Sequence, residues 1–378
     1  MSSRNQPTVA VVGVGSVGAM ALWQLAKQGV SAVGYDSYAP GHDRGAAGGE
    51  SRILRAAPRR GPQYVPLLRR ARELWQELED DSGHRLFHRT GCVTVGPAEH
   101  AGLRAVQDIA EAQDLPLEWL EAAEAARRVP EHPLRDGEAM VLDPEGGLLR
   151  PEVSVLAAAS RAEALGAQIH RYTPVVDVED DGDSATVVTE HGRQHYDRVI
   201  LAPGPWLQGF PVIPSRDVTV SKVDVLWFAR RTPGTFLPER TPVAMRVGDP
   251  AMSCCPGADG AKIVPREQDK AEIDYPETLP RDVPADQVAR AREAVQQVMP
   301  GLFPSPIRTA TYGEAYTADG HGMLGAPGMS EALVIAAAFS GHGFQLAPVL
   351  GEISADLALT GITDHNVAFL GPDRQQHG

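Results

Sequence analysis

Residues 8–36, TVAVVGVGSVGAMALWQLAKQGVSAVGYD, contain the pattern that decides the fold. A valine-rich run leads into Gly13-Val14-Gly15-Ser16-Val17-Gly18, an alanine- and leucine-rich segment follows, and a second apolar run ends at a carboxylate, Asp36. This order predicts a strand, a tight turn, a helix, a second strand and an acid, as in a dinucleotide-binding βαβ unit. The three glycines would permit the turn, the approach of the backbone to a pyrophosphate, and close packing of helix on strand.

The start of the predicted helix suits a pyrophosphate, because free N–H groups and the positive end of the helix dipole meet there. Asp36 stands where an acid accepts hydrogen bonds from the ribose hydroxyls of adenosine. A glycine turn alone is a weak signal, but Gly29 as the helix stop and Asp36 at the expected interval agree with it. The pattern does not distinguish FAD from NAD.

The composition restricts the class of protein. The chain has 378 residues, 43% hydrophobic content and a formal net charge of −14, so we expect two or three domains and neither nucleic acid nor an anionic membrane as main partner. No apolar run is long enough to cross a membrane, and the polar start MSSRNQPT predicts a cytoplasmic protein. Cys92, Cys254 and Cys255 lack metal-binding spacing and are expected to be buried or free thiols.

Further segments of a nucleotide-binding fold are spread along the chain. A predicted helix ends at Gly166 before the apolar run 199–202, and the apolar run 332–338 precedes a glycine turn and a last helix. The blocks between them contain short strands and helices. We therefore predict an α/β fold, with a Rossmann-like domain assembled from discontinuous segments beside an α+β domain built on an antiparallel sheet. The predicted boundaries are residues 1–85, 149–215 and 319–378 for the nucleotide-binding domain and residues 86–148 and 216–318 for the substrate domain.

Motifs along the whole chain carry a resemblance to one family. Besides the glycine turn and Asp36 they are Ser51-Arg52-Ile53-Leu54-Arg55, Tyr64-Val65-Pro66-Leu67, Arg89-Thr90-Gly91, Gly204-Pro205-Trp206 and Ala338-Phe339-Ser340-Gly341-His342-Gly343-Phe344. On these residues the sequence resembles the D-amino-acid-oxidase (DAO) superfamily of FAD-dependent oxidoreductases, in particular monomeric sarcosine oxidase and N-methyltryptophan oxidase. The resemblance implies FAD, oxidation of a secondary amine beside a carboxylate, and reoxidation by O2 to give hydrogen peroxide. The interleaved domains agree, because a nicotinamide dehydrogenase normally keeps its dinucleotide fold in one block.

The glycine turn and the resemblance together imply a set of FAD-binding residues. They are Gly13, Gly15, Ser16, Val17, Gly18, Asp36, Ser37, Gly49, Ser51, Arg52, Val175, Pro203, Gly204, Trp206, Gly341, His342, Gly343, Phe344 and Gln345. Gly341 and Gly343 would bring the backbone close to the flavin, and the helix after them would direct its N-terminal dipole at the flavin's O2 carbonyl. His342 receives no catalytic role.

Arg52 and Arg55 lie three residues apart in the least acidic part of the chain. A solvated basic face is the ordinary explanation of such a pair. Arg55, however, is flanked by apolar residues on both sides, so its charge needs a local anion. In the family, the position matching Arg55 binds the substrate carboxylate, for which a planar guanidinium is suited, and the position matching Arg52 lies beside the flavin ring.

Lys262 lies in an apolar, strand-like run, where a surface lysine is the alternative explanation. The resemblance aligns it with the lysine that activates oxygen, because a fixed cation lowers the barrier to superoxide formation. Tyr316 matches an aromatic residue of the substrate pocket, with core packing as the alternative. The predicted catalytic residues are Lys262 and Arg52, and the predicted substrate-binding residues are Arg55, Gln345, Tyr316, Ser253 and Arg266.

Several positions depart from the family pattern. Glu314 aligns with the cysteine that tethers FAD in sarcosine oxidases, and since a carboxylate cannot form that thioether, we predict non-covalent FAD. Gln345 replaces a lysine that helps to hold the substrate carboxylate. Gly48 replaces a histidine and Ser253 a tyrosine, which would enlarge the pocket, and Arg266 adds a cation for a second anion.

The sequence therefore predicts a monomeric FAD-dependent amine oxidase, acting without metal on an N-methyl or N-carboxymethyl amino acid bulkier than sarcosine. Hydride would pass from carbon to the flavin, the imine would hydrolyse, and O2 would reoxidise the flavin. One alternative is a glycine-oxidase-like enzyme, or an imino-acid oxidase or dehydrogenase of the same fold with another electron acceptor. The other is a non-catalytic dinucleotide-binding protein, which would keep residues 8–36 but need no buried arginine pair.

Overall fold

The computed structural model describes residues 7–214, 218–266, 272–273, 276–328 and 330–377. The strands are β1 (Val9–Val12), β2 (Ala32–Tyr35), β3 (Arg52–Leu54), β4 (Phe87–His88), β5 (Cys92–Pro97), β6 (Glu118–Leu120), β7 (Glu138–Asp143), β8 (Gly147–Leu149), β9 (Gln168–His170), β10 (Val175–Asp180), β11 (Ala185–Thr189), β12 (Gly192–Tyr196), β13 (Arg198–Leu201), β14 (Val218–Arg230), β15 (Val243–Arg246), β16 (Met252–Pro256), β17 (Gly260–Pro265), β18 (Leu302–Thr317), β19 (Met323–Gly325) and β20 (Leu333–Ala337). The helices are α1 (Ser16–Lys27), α2 (Val65–Ser82), α3 (Ala101–Ala112), α4 (Ala122–Arg128), α5 (Pro151–Ala164), α6 (Ala285–Val298) and α7 (Gly343–Thr360).

A six-stranded sheet with the order β19-β20-β13-β1-β2-β9 forms the first half of the molecule. All its pairs are parallel except the edge pair of β19 with β20. Helix α1 packs against α5 and α7, and apolar side chains of these helices are buried in one core with Val9 and Val11 of β1, while Ala10 and Val12 belong to a second core. Because β1, β13 and β20 are parallel, the turns after Val12, Leu201 and Ala337 lie at the same edge of the sheet, where such folds bind their ligands.

An eight-stranded sheet with the order β18-β14-β17-β16-β15-β5-β7-β6 forms the second half. Its pairs are antiparallel as predicted, except that β5 and β15 run parallel with Cys92 opposite Val243. These two strands come from different blocks of the chain, and no hairpin joins them. The α/β fold itself is confirmed. The domain boundaries stay a prediction, and the one between residues 215 and 216 lies outside the described residues.

Strands β3 and β18 both carry residues of the predicted site. Strand β3 pairs with β8 in a three-stranded sheet with β4. Strand β18 spans 16 residues and pairs with β14 along most of its length, although it contains Pro304 and Pro306, which are disfavoured in strands. Its prolines lie at the end where the register with β14 shifts, so they interrupt little of the ladder.

The thiol prediction is confirmed, since Cys92, Cys254 and Cys255 are all buried and free. No helix in the described ranges has both the length and the apolar character needed to span a bilayer.

Candidate active site

A cavity of about 590 Å³ lies between the two sheets. Its lining comes from the turns after β1, β2, β13 and β20 on one side and from strands β14 to β18 on the other. This volume is within the range of pockets that bind small molecules and cofactors. The cavity therefore joins the predicted nucleotide-binding turn to the predicted substrate residues.

The glycine turn after β1 has the features of a phosphate cradle. Gly13 has a left-handed backbone (φ +89°), and a Cβ there would overlap with the backbone oxygen of Ala202. A Cβ at Gly18 would overlap with the backbone oxygen of Gly13, so these two glycines are needed for packing. At Gly15, by contrast, a Cβ would meet no atom within 4 Å, and this residue lines the cavity. The open position and the start of α1, which has no side-chain cap, fit a pyrophosphate.

The carboxylate of Asp36 is held at the end of β2. It accepts hydrogen bonds from the backbone N–H groups of Val14 and Tyr38, each at 2.8 Å, and His42 Nε2 lies 3.6 Å from its Oδ1. Burial raises the pKa of Asp36, and these contacts oppose that rise. Tyr38, His42 and Trp206 form an aromatic cluster beside it, with the Tyr38 and His42 rings 4.8 Å apart. An oriented acid next to aromatic rings fits the adenosine part of FAD.

The loop before β3 is held by two cations. Arg52 donates hydrogen bonds to the backbone oxygens of Ser51 and Gly48, each at 2.7 Å, and to that of Ala46. The Lys262 ammonium is buried and donates to the backbone oxygens of Gly49, at 3.0 Å, and Ser51. Burial lowers the pKa of Lys262 to about 8. Both side chains line the cavity.

Arg55 and Gln345 line the cavity, and each has an enclosed polar atom without a hydrogen-bond partner among the described residues. Arg55 contacts Met245 Sδ through one terminal nitrogen, while its Nε is inaccessible and has no hydrogen-bond partner among the described residues. Burial, with the nearby Arg266, lowers the pKa of Arg55 to about 9. Gln345 is 6% exposed, and its Oε1 likewise lacks a partner within the ranges described. Such atoms are costly in a folded protein unless a ligand satisfies them.

The end of β18 presents a carboxylate and a phenol to the same cavity. The Tyr316 hydroxyl donates a hydrogen bond of 2.9 Å to Glu314 Oε2, and burial raises the pKa of Tyr316. Glu314 has no sulfur atom with which to form a thioether. The backbone N–H of Thr317 donates to Ser340 Oγ at 3.0 Å, which joins β18 to the turn after β20.

That turn has an unusual backbone. Ala338 and Ser340 both adopt left-handed conformations (φ 55° and 51°), which non-glycine residues rarely do, and such strain is common at ligand sites. His342 follows and its Nε2 lies 3.1 Å from the Tyr64 hydroxyl. Burial, with the nearby Arg60, lowers the pKa of His342 to about 3.

Comparison with known proteins identifies the family. Residues 8–357 match the family described as DAO, FAD dependent oxidoreductase. The chain belongs to the DAO family. This DAO-family chain is 32% identical over 377 residues to the monomeric sarcosine oxidase of Streptomyces avermitilis, covering 97% of each protein. It is 31% identical to the N-methyl-L-tryptophan oxidase of Salmonella arizonae, covering 92% of this chain and 94% of the relative. The solved open form of NikD, described as an unusual amino acid oxidase essential for nikkomycin biosynthesis, has the same fold, with a TM-score of 0.85, 22% identity and 97% of each chain covered.

The structure of this DAO-family chain brings most of the predicted site residues together. Among them only Gly18 and Gly49 do not line the cavity. Gly18 packs against the glycine turn, and Gly49 offers its backbone oxygen to Lys262. The residues that do line it are Gly13, Gly15, Ser16, Val17, Asp36, Ser37, Ser51, Arg52, Arg55, Val175, Pro203, Gly204, Trp206, Ser253, Lys262, Arg266, Glu314, Tyr316, Gly341, His342, Gly343, Phe344 and Gln345.

The expectation that Gly48 enlarges the pocket is wrong. A Cβ at Gly48 would overlap with the ring of Tyr312, and the ring also lies 3.4 Å from a Cβ built at Gly49. The buried ring of Tyr312 thus fills the space that a side chain at position 48 would need. Any enlargement must come from Ser253, which lines the cavity from β16.

Other lining residues were missed by the sequence. Arg60 belongs to the same arginine-rich stretch as Arg55, so a signal for it was present. Lys222 lies on β14 and forms a salt bridge of 2.9 Å with the buried Asp224. Met245 reaches Arg55 from β15. Lys222 and Met245 face the cavity only because the eight-stranded sheet has its particular strand order, which the sequence does not reveal.

Proposed function

We propose that this protein is an FAD-dependent amine oxidase that acts on an N-substituted amino acid, of the N-methyl or N-carboxymethyl type. The observation that carries the proposal is the Arg55 guanidinium, which lines the cavity with an enclosed Nε lacking a partner among the described residues and without a salt bridge to any of their carboxylates. A substrate carboxylate would supply the missing anion and accept two parallel hydrogen bonds. The named activities of the two curated relatives support this substrate class.

Gln345 is the second carboxylate-binding residue in this proposal. An amide that replaces a lysine removes one positive charge but keeps an N–H donor. Gln345 lines the cavity beside Arg55, so its amide N–H is a candidate donor to the same carboxylate. The argument for a substrate bulkier than sarcosine now rests on Ser253, since Tyr312 occupies the space beside Gly48.

The residues around the glycine turn and Asp36 would hold the FAD. When bound, FAD takes two electrons from the carbon–nitrogen bond of the amine and passes them to O2. The chain's own contribution is positional and electrostatic: Arg52 fixes the loop of residues 46–51, and Lys262 supplies a buried positive charge that favours negative charge developing on oxygen. The imine product needs only water to hydrolyse.

We further propose that FAD is bound without a covalent link. The proposal takes Glu314 as the counterpart of the linking cysteine, as the resemblance to sarcosine oxidases implies, and it is supported by the hydrogen bond that the Tyr316 hydroxyl donates to the Glu314 carboxylate. Acid precipitation of the purified protein should release the yellow chromophore into the supernatant, whereas pigment in the pellet would contradict the assignment. The proposal also keeps the expectations of a monomeric and cytoplasmic enzyme.

The decisive test is a panel of N-substituted amino acids added to the purified protein without oxygen. Bleaching of the flavin absorbance by at least one of them, with none by the matching esters, is the expected result. A colourless protein, or a flavin that no secondary amine bleaches, would overturn the proposal. Peroxide release in air then separates an oxidase from a dehydrogenase that uses another acceptor.

A further inference from the structure

The cavity holds more positive charge than one substrate carboxylate can neutralise. Arg55, Arg60 and Arg266 all line it, and Arg59 lies with Arg55 and Arg60 around a small adjoining void. Arg60 donates a hydrogen bond of 2.9 Å to the backbone oxygen of Ser340, which leaves its charge uncompensated. In the described part of the chain none of these four guanidinium groups forms a salt bridge. Burial, and after it the charges of neighbouring arginines, lowers the pKa of Arg55, Arg59 and Arg266, which shows that these charges lie close in space.

Arg266 differs from the others in its surroundings. It follows directly after β17, four residues beyond Lys262, and its backbone N–H is bonded to the oxygen of Ala251 at 2.9 Å. The side chain is accessible and has no hydrogen-bond partner within the described ranges. Its backbone is thus held in place, while no described residue binds its guanidinium group. A side chain of this kind can bind an anion without first breaking an internal contact.

The nearby carboxylate of Glu314 does not remove this charge. It accepts the Tyr316 hydroxyl and acts on Arg266 only over a distance, without forming a salt bridge. Glu314 does restrict which anion can bind at Arg266, because its carboxylate would repel a doubly charged phosphate. A singly charged carboxylate is the better match for one guanidinium with an acid in its neighbourhood.

We propose that Arg266 forms a second anion subsite and that the substrate is a dicarboxylic N-substituted amino acid, with its α-carboxylate on Arg55 and its second carboxylate on Arg266. This inference rests on the proposed function, in that it names the substrate class of the same site. A substrate with two carboxylates neutralises two of the arginines, while a monocarboxylate leaves Arg266 unpaired. The uncompensated positive charge of the cavity therefore favours dicarboxylic over monocarboxylic substrates.

The test compares acids with amides of nearly the same shape. N-methyl-L-aspartate and N-methyl-L-glutamate are measured against N-methyl-L-asparagine and N-methyl-L-glutamine with the FAD-loaded enzyme, as kcat/KM and as anaerobic dissociation constants. We expect the wild type to prefer the acids about tenfold or more, as is usual for a charge-assisted hydrogen bond. Arg266→Gln should lose this preference by weakening the acids alone, and Arg266→Lys should keep part of it. Arg290→Gln, an exposed arginine on α6 that pairs with Asp286, is the control.

The experiment distinguishes a failure of the anion subsite from a failure of the proposed function. If the wild type treats acids and amides alike, or if Arg266→Gln weakens both equally, the subsite is wrong while amine oxidation stands. Succinate and glutarate, compared with their monoamides, provide a readout without turnover through the perturbed flavin spectrum. If no amine is oxidised but Arg266→Gln selectively abolishes dicarboxylate binding, the proposed function fails and the anion subsite survives.

Discussion

The ammonium group of Lys262 donates a hydrogen bond to the backbone oxygen of Gly49, 3.0 Å away. This contact joins β17 of the eight-stranded sheet to the loop of residues 46–51, which Arg52 also holds. The buried cation is therefore fixed from two sides of the cavity. A charge in a rigid, enclosed position can act on a reacting molecule without first reorganising its surroundings.

Replacing Lys262 by Met should slow reoxidation of the reduced flavin by O2 by about 100-fold or more, because the positive charge that we propose to favour electron transfer is lost. Flavin reduction by substrate without oxygen should change far less. Stopped-flow measurement of both half-reactions checks this. Lys27→Met, which removes a lysine that pairs with Glu77 on the surface, serves as control. A Lys262→Met enzyme that reoxidises as fast as the wild type would show that the assignment is wrong.

The pH dependence of reoxidation follows from the same lysine. Because burial lowers the pKa of Lys262 to about 8, its cation is complete well below that pH and is lost as the pH rises through it. The rate constant for reoxidation should therefore fall on the alkaline side with an apparent pKa near this value. The Lys262→Met enzyme should show a flat profile across the same range. A fall of equal size in both enzymes would assign the titration to another group.

Arg55→Gln should weaken substrate binding by about 100-fold, since the proposed bidentate partner of the substrate carboxylate is lost. Arg55→Lys should recover only part of this loss, because an ammonium group cannot form two parallel hydrogen bonds to a carboxylate. Anaerobic titration of the flavin spectrum measures the affinity, and the ratio of FAD to protein should stay unchanged. Reduced FAD content in either variant would instead give Arg55 a structural role.

Gly15 and Gly13 should respond to substitution in opposite ways. Gly15→Val places its side chain in open space, so we expect a folded protein that purifies largely without FAD. Gly13→Ala introduces a clash with Ala202 at a left-handed position and should lower the free energy of unfolding by about 1–3 kcal/mol. Circular-dichroism melting together with FAD content separates the two effects. A Gly15→Val protein that retains FAD would contradict the assignment of the glycine turn as the pyrophosphate-binding site.

Gly48→Ala should destabilise the protein by about 1–3 kcal/mol, because the added methyl group meets the ring of Tyr312. Tyr312→Leu in the same chain should relieve the clash and recover part of the stability. A double-mutant cycle of the free energies of unfolding measures this coupling. If Gly48→Ala is as stable as the wild type, the ring moves aside easily and the space is available to a substrate after all.

The sequence predicted those parts of the structure that depend on neighbours along the chain. The turn at residues 13–18, its helix and Asp36 are local features, and each glycine has a conformational or packing requirement that shows in the order of residues. The Arg55 hypothesis was local too, since a charge between apolar residues is visible without a fold. In such cases residue type and spacing already express the physical constraint.

The features of the site that the sequence did not predict depend on pairing between strands that are distant along the chain. Tyr312 fills the space beside Gly48 because β18 and the loop before β3 meet across the cavity. Met245 contacts Arg55 because β15 lies between β16 and β5. The parallel pairing of β5 with β15 has no signature in either strand alone. Propensity and spacing do not encode which distant strand becomes a neighbour.

Because the parts of the cavity lie far apart along the chain, they are synthesised at different times. The glycine turn leaves the ribosome early, but β20 and the turn after it are made late, and domains assemble as their segments emerge. Until β20 pairs with β13 and α7 packs on α1, the cavity lacks the residues of that last turn. Loading of FAD therefore follows completion of this part of the chain, and a nascent chain that stops before β20 stays flavin-free.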